Sequence, residues 1–421
     1  MYTMFTKVIK NPELQGTIII TTGSIIGSFF AYLLQFFLGR MLSVENYGSF
    51  SALISVSTIV GVFAGVFVIA LVKIVSELVA KEDFERVTAL FWKVTLWGLL
   101  YGLVAFFLVY ILKNYISSTL KISDVTAIVF FGWFLGMNLF PPISRSYLQA
   151  LLRYKALAFF LVYSGFLRFV FPVVFVYFGY ALSGVFFGMG IGLALSFVFS
   201  LLLLRKNFRK HEIIDLSEQY EKFLMLGLPI TILFLGLMIL SNMDMILVKR
   251  FFDPDLAGYY AGTVTLGKIL LFGAGSVNLI MFPQISAVYT KGENYIEKFK
   301  KLLFMQIGVV IAGVVPYIAF PKFLTTAFFG KSFLGSVEYL PLFSIFVGLY
   351  VLVNFMVLFF LAIDKKNVFW FLVPGVTLQT LLIYFLHADL YQVIYINIGV
   401  SLATCLALFI YYRKTVSQAL F

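Results

Sequence analysis

The sequence predicts an all-α integral membrane protein, with twelve transmembrane helices in two parallel six-helix lobes around a central cavity. Three observations predict it. The 421 residues are 62% hydrophobic and 12% charged, with a mean hydropathy of +1.02, and no water-soluble domain covers that much apolar surface. Uncharged runs of about 20 residues recur without strand-like alternation, the length of helix that crosses a hydrocarbon core about 30 Å thick. A short charged stretch occurs twice, 210 residues apart: Arg40-Met-Leu-Ser-Val-Glu-Asn-Tyr-Gly48 and Arg250-Phe-Phe-Asp-Pro-Asp-Leu-Ala-Gly258.

Taken in order, the predicted spans are 17–39, 47–72, 91–112, 125–144, 156–178, 182–204, 223–247, 257–283, 302–320, 339–362, 367–386 and 390–411. The first is too long for a signal h-region and ends at Arg40 without a small-residue cleavage site, so it reads as a membrane helix. The second and eighth follow the two charged turns. Between Arg168 and Arg205 lie 36 uncharged residues, enough for one span and most of another, and Gly179, Tyr180, Ser183 and Gly184 supply the turn between them. The stretch from Asp255 to Lys291 is kept as one helix with an interfacial tail. Pro141-Pro142, Pro172, Pro229, Pro283 and Pro374 are kink sites, where freed backbone groups can bend a helix, and for any single proline simple packing variation is the preferred alternative.

With the N-terminus inside, 21 Lys and Arg fall in inner segments and 7 in outer ones. That bias places both termini in the cytoplasm of a plasma-membrane protein and requires an even number of spans. The formal net charge of +12 is thereby explained by topology, and nucleic acid is not an expected partner. Cys405 is the only cysteine, so an intrachain disulfide is excluded.

The repeat extends past the turns. At the 210-residue offset Ser76 and Lys81 match Ser286 and Lys291, and Gly98 matches Gly308. At 212, Ala150 matches Ala362 and Arg153 matches Lys365. The expected organisation is a lobe over 1–204, a cytoplasmic linker over 205–222 and a second lobe over 223–421. Six is even, so both halves enter the membrane in the same direction. Parallel repeats of this kind are a transporter architecture.

No His/Cys cluster, phosphate-binding loop or Ser-His-Asp arrangement is present, and His211 and His387 are the only histidines. Neither catalysis, a metal site nor a bound cofactor is expected. The informative residues are charges inside spans, which cost about 2.5–3.5 kcal/mol at mid-bilayer and so face protein or a wet cavity. Lys268 lies about ten residues into its span and Arg168 about twelve into its own, near the midplane at about 1.5 Å per residue. Neither has an acidic neighbour in sequence, which points to an anionic ligand. Gln35 and Arg145 complete the candidate substrate contacts. Asp244, in Ser241-Asn242-Met243-Asp244, is the one acidic residue inside a span. With Asn242 it is the candidate site for a coupling Na+ or H+; pairing with Lys249, Arg250 or Lys268 is the alternative.

The stretch Gly39 to Ala52 resembles the end of helix 1 and start of helix 2 in polysaccharide-transporter proteins. These are the Wzx-like flippases of the multidrug/oligosaccharidyl-lipid/polysaccharide exporter superfamily. Asn242 to Ala261 is similar to their helix 7–8 stretch. The resemblance implies alternating access by two six-helix lobes on a polyprenyl-diphosphate-linked oligosaccharide moved from the inner to the outer leaflet, and a monomer is the expected working unit. It implies a cationic cavity lined by helices 1, 2, 7 and 8, which favours Lys268, and a cation ligand near Asp244. The sequence departs from the lipid II flippase branch, since 17–39 and 47–72 hold no basic residue. A cation-coupled multidrug extruder of the same superfamily needs further cavity carboxylates. A membrane glycan polymerase or ligase needs a long outer loop.

Overall fold

The computed structural model describes residues 12–208, 219 and 231–419. Most of the predicted linker, His211, Pro229 and the start of the seventh predicted span lie outside the described residues. The elements are α1 (Pro12–Met41), α2 (Val44–Ala80), α3 (Phe84–Leu120), α4 (Val125–Met137), α5 (Phe140–Ala150), α6 (Tyr154–Tyr177) and α7 (Ala181–Leu204). They continue with α8 (Thr231–Leu240), α9 (Met243–Phe251), α10 (Pro254–Thr290), α11 (Ile296–Ala319), α12 (Pro321–Phe329), α13 (Leu340–Ala362), α14 (Phe369–Phe385) and α15 (Leu390–Ala419). No strand occurs among the described residues.

Among the described residues ten helices are long and apolar enough to cross a membrane, the broken pair α8–α9 makes eleven, and the shorter apolar α14 occupies the place of the eleventh predicted span. The molecule is therefore a multi-pass membrane protein with a helix at every predicted span. Its outer surface is apolar in the way lipid requires. Along α3, for example, Leu96, Leu99, Leu103, Phe107 and Ile111 are exposed, and in lipid such a face carries no penalty.

The repeat is exact in length at the helix that follows each charged turn. Both α2 and α10 run for 37 residues, and their starts, Val44 and Pro254, are 210 apart. Each follows a break of two residues after a helix that ends in a basic turn, Arg40 in α1 and Lys249-Arg250 in α9. The guanidiniums are held over rings, Arg40 over Phe36 and Arg250 over Phe251 and Tyr384. At the start of α2 the Asn46 N–H is taken up by the Ser43 hydroxyl at 3.2 Å, an ordinary N-terminal cap.

The described residues pack as two compact units, Met1–Leu42 with Val60–Thr231, and Ser43–Ile59 with Ile232–Phe421. These packing units differ from the two sequence halves at one element, because the first part of α2 is fastened to the second unit. The reason is local. Gly48 and Gly258, equivalent in the repeat, meet where α2 crosses α10, and a Cβ on Gly48 would sit 2.9 Å from the Gly258 nitrogen. Tyr47 fills the space beside the crossing, edge-on to Phe329 and Phe333, with its hydroxyl 2.9 Å from that of Thr265. In the first unit the same device seats α1 on α6, where Gly27 and Gly165 let the two backbones touch.

Pro172, Pro283 and Pro374 lie inside helices that continue through them. The break between α4 and α5 falls at Asn138-Leu139, and Pro141-Pro142 start the new helix, where a missing N–H costs nothing. The sharp break, 43° between α8 and α9, falls on Ser241-Asn242, with no proline at the bend.

Candidate functional site

Polar side chains make the break at Ser241-Asn242. The Asn242 amide donates to the Met238 carbonyl at 2.9 Å and to the Ser241 hydroxyl at 2.9 Å. Such short side chains compete with the backbone for the preceding turn's carbonyls. The backbone N–H of Asn242 turns back to Ile239 at 3.2 Å, tightening the last turn. Two further carbonyls of that turn take side-chain donors from other helices. Tyr350 of α13 donates to Leu237 at 3.1 Å and Gln379 of α14 to Leu240 at 3.0 Å. A broken helix at membrane depth is stable only when its freed groups are satisfied in this way.

Asp244 stands in the first turn of α9, completely buried. Its Oδ2 accepts the Tyr260 hydroxyl of α10 at 2.6 Å and the Asn397 amide of α15 at 3.2 Å. The same Asn397 amide donates to the Tyr260 oxygen at 3.2 Å. Asn397 is itself oriented by Gln379, whose amide donates to the Asn397 carbonyl at 2.7 Å. Asp244 Oδ1 accepts no hydrogen bond. Beside this group, Lys268 of α10 donates to the Asn242 carbonyl at 2.8 Å, close enough for its charge to act on Asp244. Tyr260, Gln379 and Asn397 have no exposed surface, and Asn242 has 2%.

The fold thus brings together three of the sequence candidates, Asp244, Asn242 and Lys268, all in the second unit. Lys268 reaches this cluster through Asn242. Arg250, a sequence alternative for balancing Asp244, lies instead over Phe251 and Tyr384. The other three candidates lie in the first unit on three different helices, Gln35 on α1, Arg145 on α5 and Arg168 on α6. Arg145 is exposed, while Gln35 and Arg168 are half-buried. Among the described residues no carboxylate lies within ion-pair distance of Arg168. No group of three or more His, Cys, Asp or Glu able to hold a metal occurs among the described residues.

Sequence reasoning did not single out Tyr260, Gln379 or Asn397. Their signal was present, since Gln379 and Asn397 are isolated amides inside otherwise apolar runs, and a polar residue inside a span needs a partner. Tyr260 lies within the second copy of the repeated stretch. The first copy has no such cluster, because at the 210-residue offset Asp244, Tyr260 and Lys268 correspond to Leu34, Phe50 and Thr58.

The sequence matches the model of a family described as polysaccharide biosynthesis protein over residues 14–288. No curated protein matches it. Among solved structures it is similar to an inward-facing multidrug resistance transporter of the MATE family and MOP superfamily, at 12% identity and a TM-score of 0.76, with 96% of this chain and 98% of the other covered. It is also similar to the lipid II flippase MurJ in an inward closed conformation, at 15% identity and a TM-score of 0.72 over 95% of this chain and 87% of that one. A MOP-superfamily transporter from Pyrococcus furiosus, described by a binding pocket of reverse polarity, is similar at 14% identity and a TM-score of 0.59, with 98% of each chain covered. At these identities the likeness is one of fold. The family match extends from α1 to near the end of α10, across both copies of the repeated stretch, and on that match the chain belongs to the polysaccharide biosynthesis protein family.

Proposed function

We propose that this protein is a flippase that moves a polyprenyl-diphosphate-linked oligosaccharide from the inner to the outer leaflet by alternating access, in the assembly of a cell-surface polysaccharide. The single observation that carries the reading is Lys268, a half-buried cation inside a membrane helix whose hydrogen bond among the described residues goes to a neutral amide, Asn242. An ammonium bonded to an amide retains more charge for an anionic guest than an ammonium locked to a carboxylate. The family match and the likeness to a lipid II flippase support the substrate class.

Lys268 is assigned to the diphosphate, with Arg168 as second cation and Gln35 and Arg145 as further polar contacts to the headgroup. Asp244 with Asn242 is assigned to the coupling cation. Both termini are placed in the cytoplasm, and the working unit is the monomer, with sequence halves 1–204 and 223–421 as lobes. The electrical gradient favours this direction of transport. Each negative charge moved outward across an inside-negative membrane gains about 2.3 kcal/mol per 100 mV. A multidrug extruder is less well supported, because among the described residues Asp244 is the only fully buried carboxylate.

The test is flipping of a lipid-linked glycan by the purified protein in proteoliposomes. Lys268→Ala is expected to slow it at least about tenfold, the loss of about 1.4 kcal/mol of charge-assisted binding. Normal flipping by that variant would remove the headgroup role. In cells, loss of the protein is expected to leave lipid-linked glycan on the cytoplasmic face.

A further inference from the structure

The geometry assigns to Gln379 the selection of the coupling ion, and the ion it selects is a proton. This deepens the coupling role given to Asp244 above and rests on it. The argument starts from a group that has one possible polarity. The Leu240 carbonyl, next to the helix break, can only accept, so the Gln379 atom 3.0 Å away is its amide nitrogen. That same nitrogen lies 2.7 Å from Asn397, so Asn397 must meet it with its carbonyl oxygen. The Asn397 nitrogen is then left to face Asp244 and Tyr260, both at 3.2 Å. One backbone oxygen fixes the orientation of two amides in turn, and neither can flip without setting oxygen against oxygen.

The consequence is a pocket that presents hydrogens to Asp244. Oδ2 receives an O–H and an N–H. A sodium-sized hard cation is held by several oxygen lone pairs, but the Asn397 oxygen is turned away and the Tyr260 oxygen already accepts the Asn397 N–H. From α10 the Lys268 ammonium, bonded through Asn242, brings a further donor and no oxygen ligand to this side of the carboxylate. On α9 itself, Arg250 is engaged over Phe251 and Tyr384, and Lys249 is buried. From α13 the nearby polar group, Tyr350, is bound to Leu237. A proton on Oδ1, the oxygen with no hydrogen bond, needs no coordination shell and displaces none of these donors. Gln379 touches neither ion nor glycan; it is a positioning residue acting through Asn397.

The experiment uses the full-length protein in lipid nanodiscs, with thermal unfolding followed by tryptophan fluorescence in sodium chloride and in choline chloride at equal concentration. The wild type is expected to unfold at the same temperature in both. Asn397→Asp, which puts a carboxylate oxygen against Asp244, is expected to gain a sodium-dependent rise of about 3 °C or more. Gln379→Glu, which can no longer donate and forces the Asn397 amide to turn its oxygen toward Asp244, is expected to do the same, and either variant suffices if the other fails to fold. Infrared spectra across an acid titration are expected to show a carboxylic-acid band that Asp244→Asn removes and sodium leaves unchanged. A sodium shift in the wild type that Asp244→Asn abolishes overturns the proposal, as does the absence of a sodium response in folded forms of both variants or of the Asp244 band. None of these readouts depends on the glycan, so failure to flip a lipid-linked oligosaccharide would count against the proposed function and leave the ion assignment standing.

Discussion

Asp244 is held by donors from two other helices, and the cost of removing one of them is a prediction at the scale of single residues. Tyr260→Phe keeps the ring, which packs edge-on to Phe343 at 5.6 Å, and deletes the hydroxyl bound to Oδ2. It is expected to destabilise the protein by about 1–3 kcal/mol, since a buried carboxylate loses a partner, and the midpoint of thermal unfolding measures it. Asp244→Asn removes the buried charge along with the bond geometry, so its stability is expected to change less than that of Tyr260→Phe. Its transport is expected to lose dependence on the ion gradient, read as equal flipping rates with and without that gradient. The sequence allowed Asp244, Asn242 and Lys268 to be named because each is a polar anomaly in an apolar run. It did not allow Gln379 and Asn397 to be joined to them, because an amide in a span can satisfy itself against any carbonyl within reach. Which one it meets is set by the packing of α14 and α15.

At the scale of elements, two glycines of the α2–α10 pair have opposite roles. A Cβ on Gly258 would fall on the Val44 carbonyl oxygen, well inside contact distance. Gly258→Ala must therefore move α2 and α10 apart and is expected to cost about 1–3 kcal/mol. Gly61, further along α2, has open space where a Cβ would go. Gly61→Ala is expected to stabilise by up to about 1 kcal/mol through helix propensity alone, and a shared thermal-unfolding assay gives the two signs side by side. The membrane-spanning helices were legible, because in lipid a run of apolar residues of the right length has one stable backbone solution, whereas the short α12 falls between two predicted spans. The break between α8 and α9 was not. No proline marks it, and Pro172, Pro283 and Pro374 sit within continuous helices. Ser241 and Asn242 bend the chain instead by taking over the Met238 carbonyl, and Gln379 and Tyr350 make that bend affordable from outside the segment.

For the whole molecule, the flippase reading makes an electrical prediction. If the carried headgroup is a diphosphate, an inside-negative potential is expected to speed outward flipping, with up to about 2.3 kcal/mol per net charge per 100 mV available. Proteoliposomes with an imposed potassium diffusion potential test this, and a rate that does not change on reversing the potential would count against net movement of negative charge. By itself the sequence determined the solvent of this protein, the positions of its spans and its internal repeat. Those follow from hydropathy, charge and spacing, which are local properties summed along the chain. Only the tertiary structure decided that the repeat is chemically one-sided, with Asp244, Tyr260 and Lys268 in the second unit where the first copy has Leu34, Phe50 and Thr58. It also decided that the first part of α2 packs with the second unit, and that Leu240, Gln379 and Asn397 form one line of hydrogen bonds to Asp244. These depend on pairs separated by up to 153 residues. Hydrogen-bond polarity and close packing of glycines act across space, and no local pattern in the chain records which distant partner they will find.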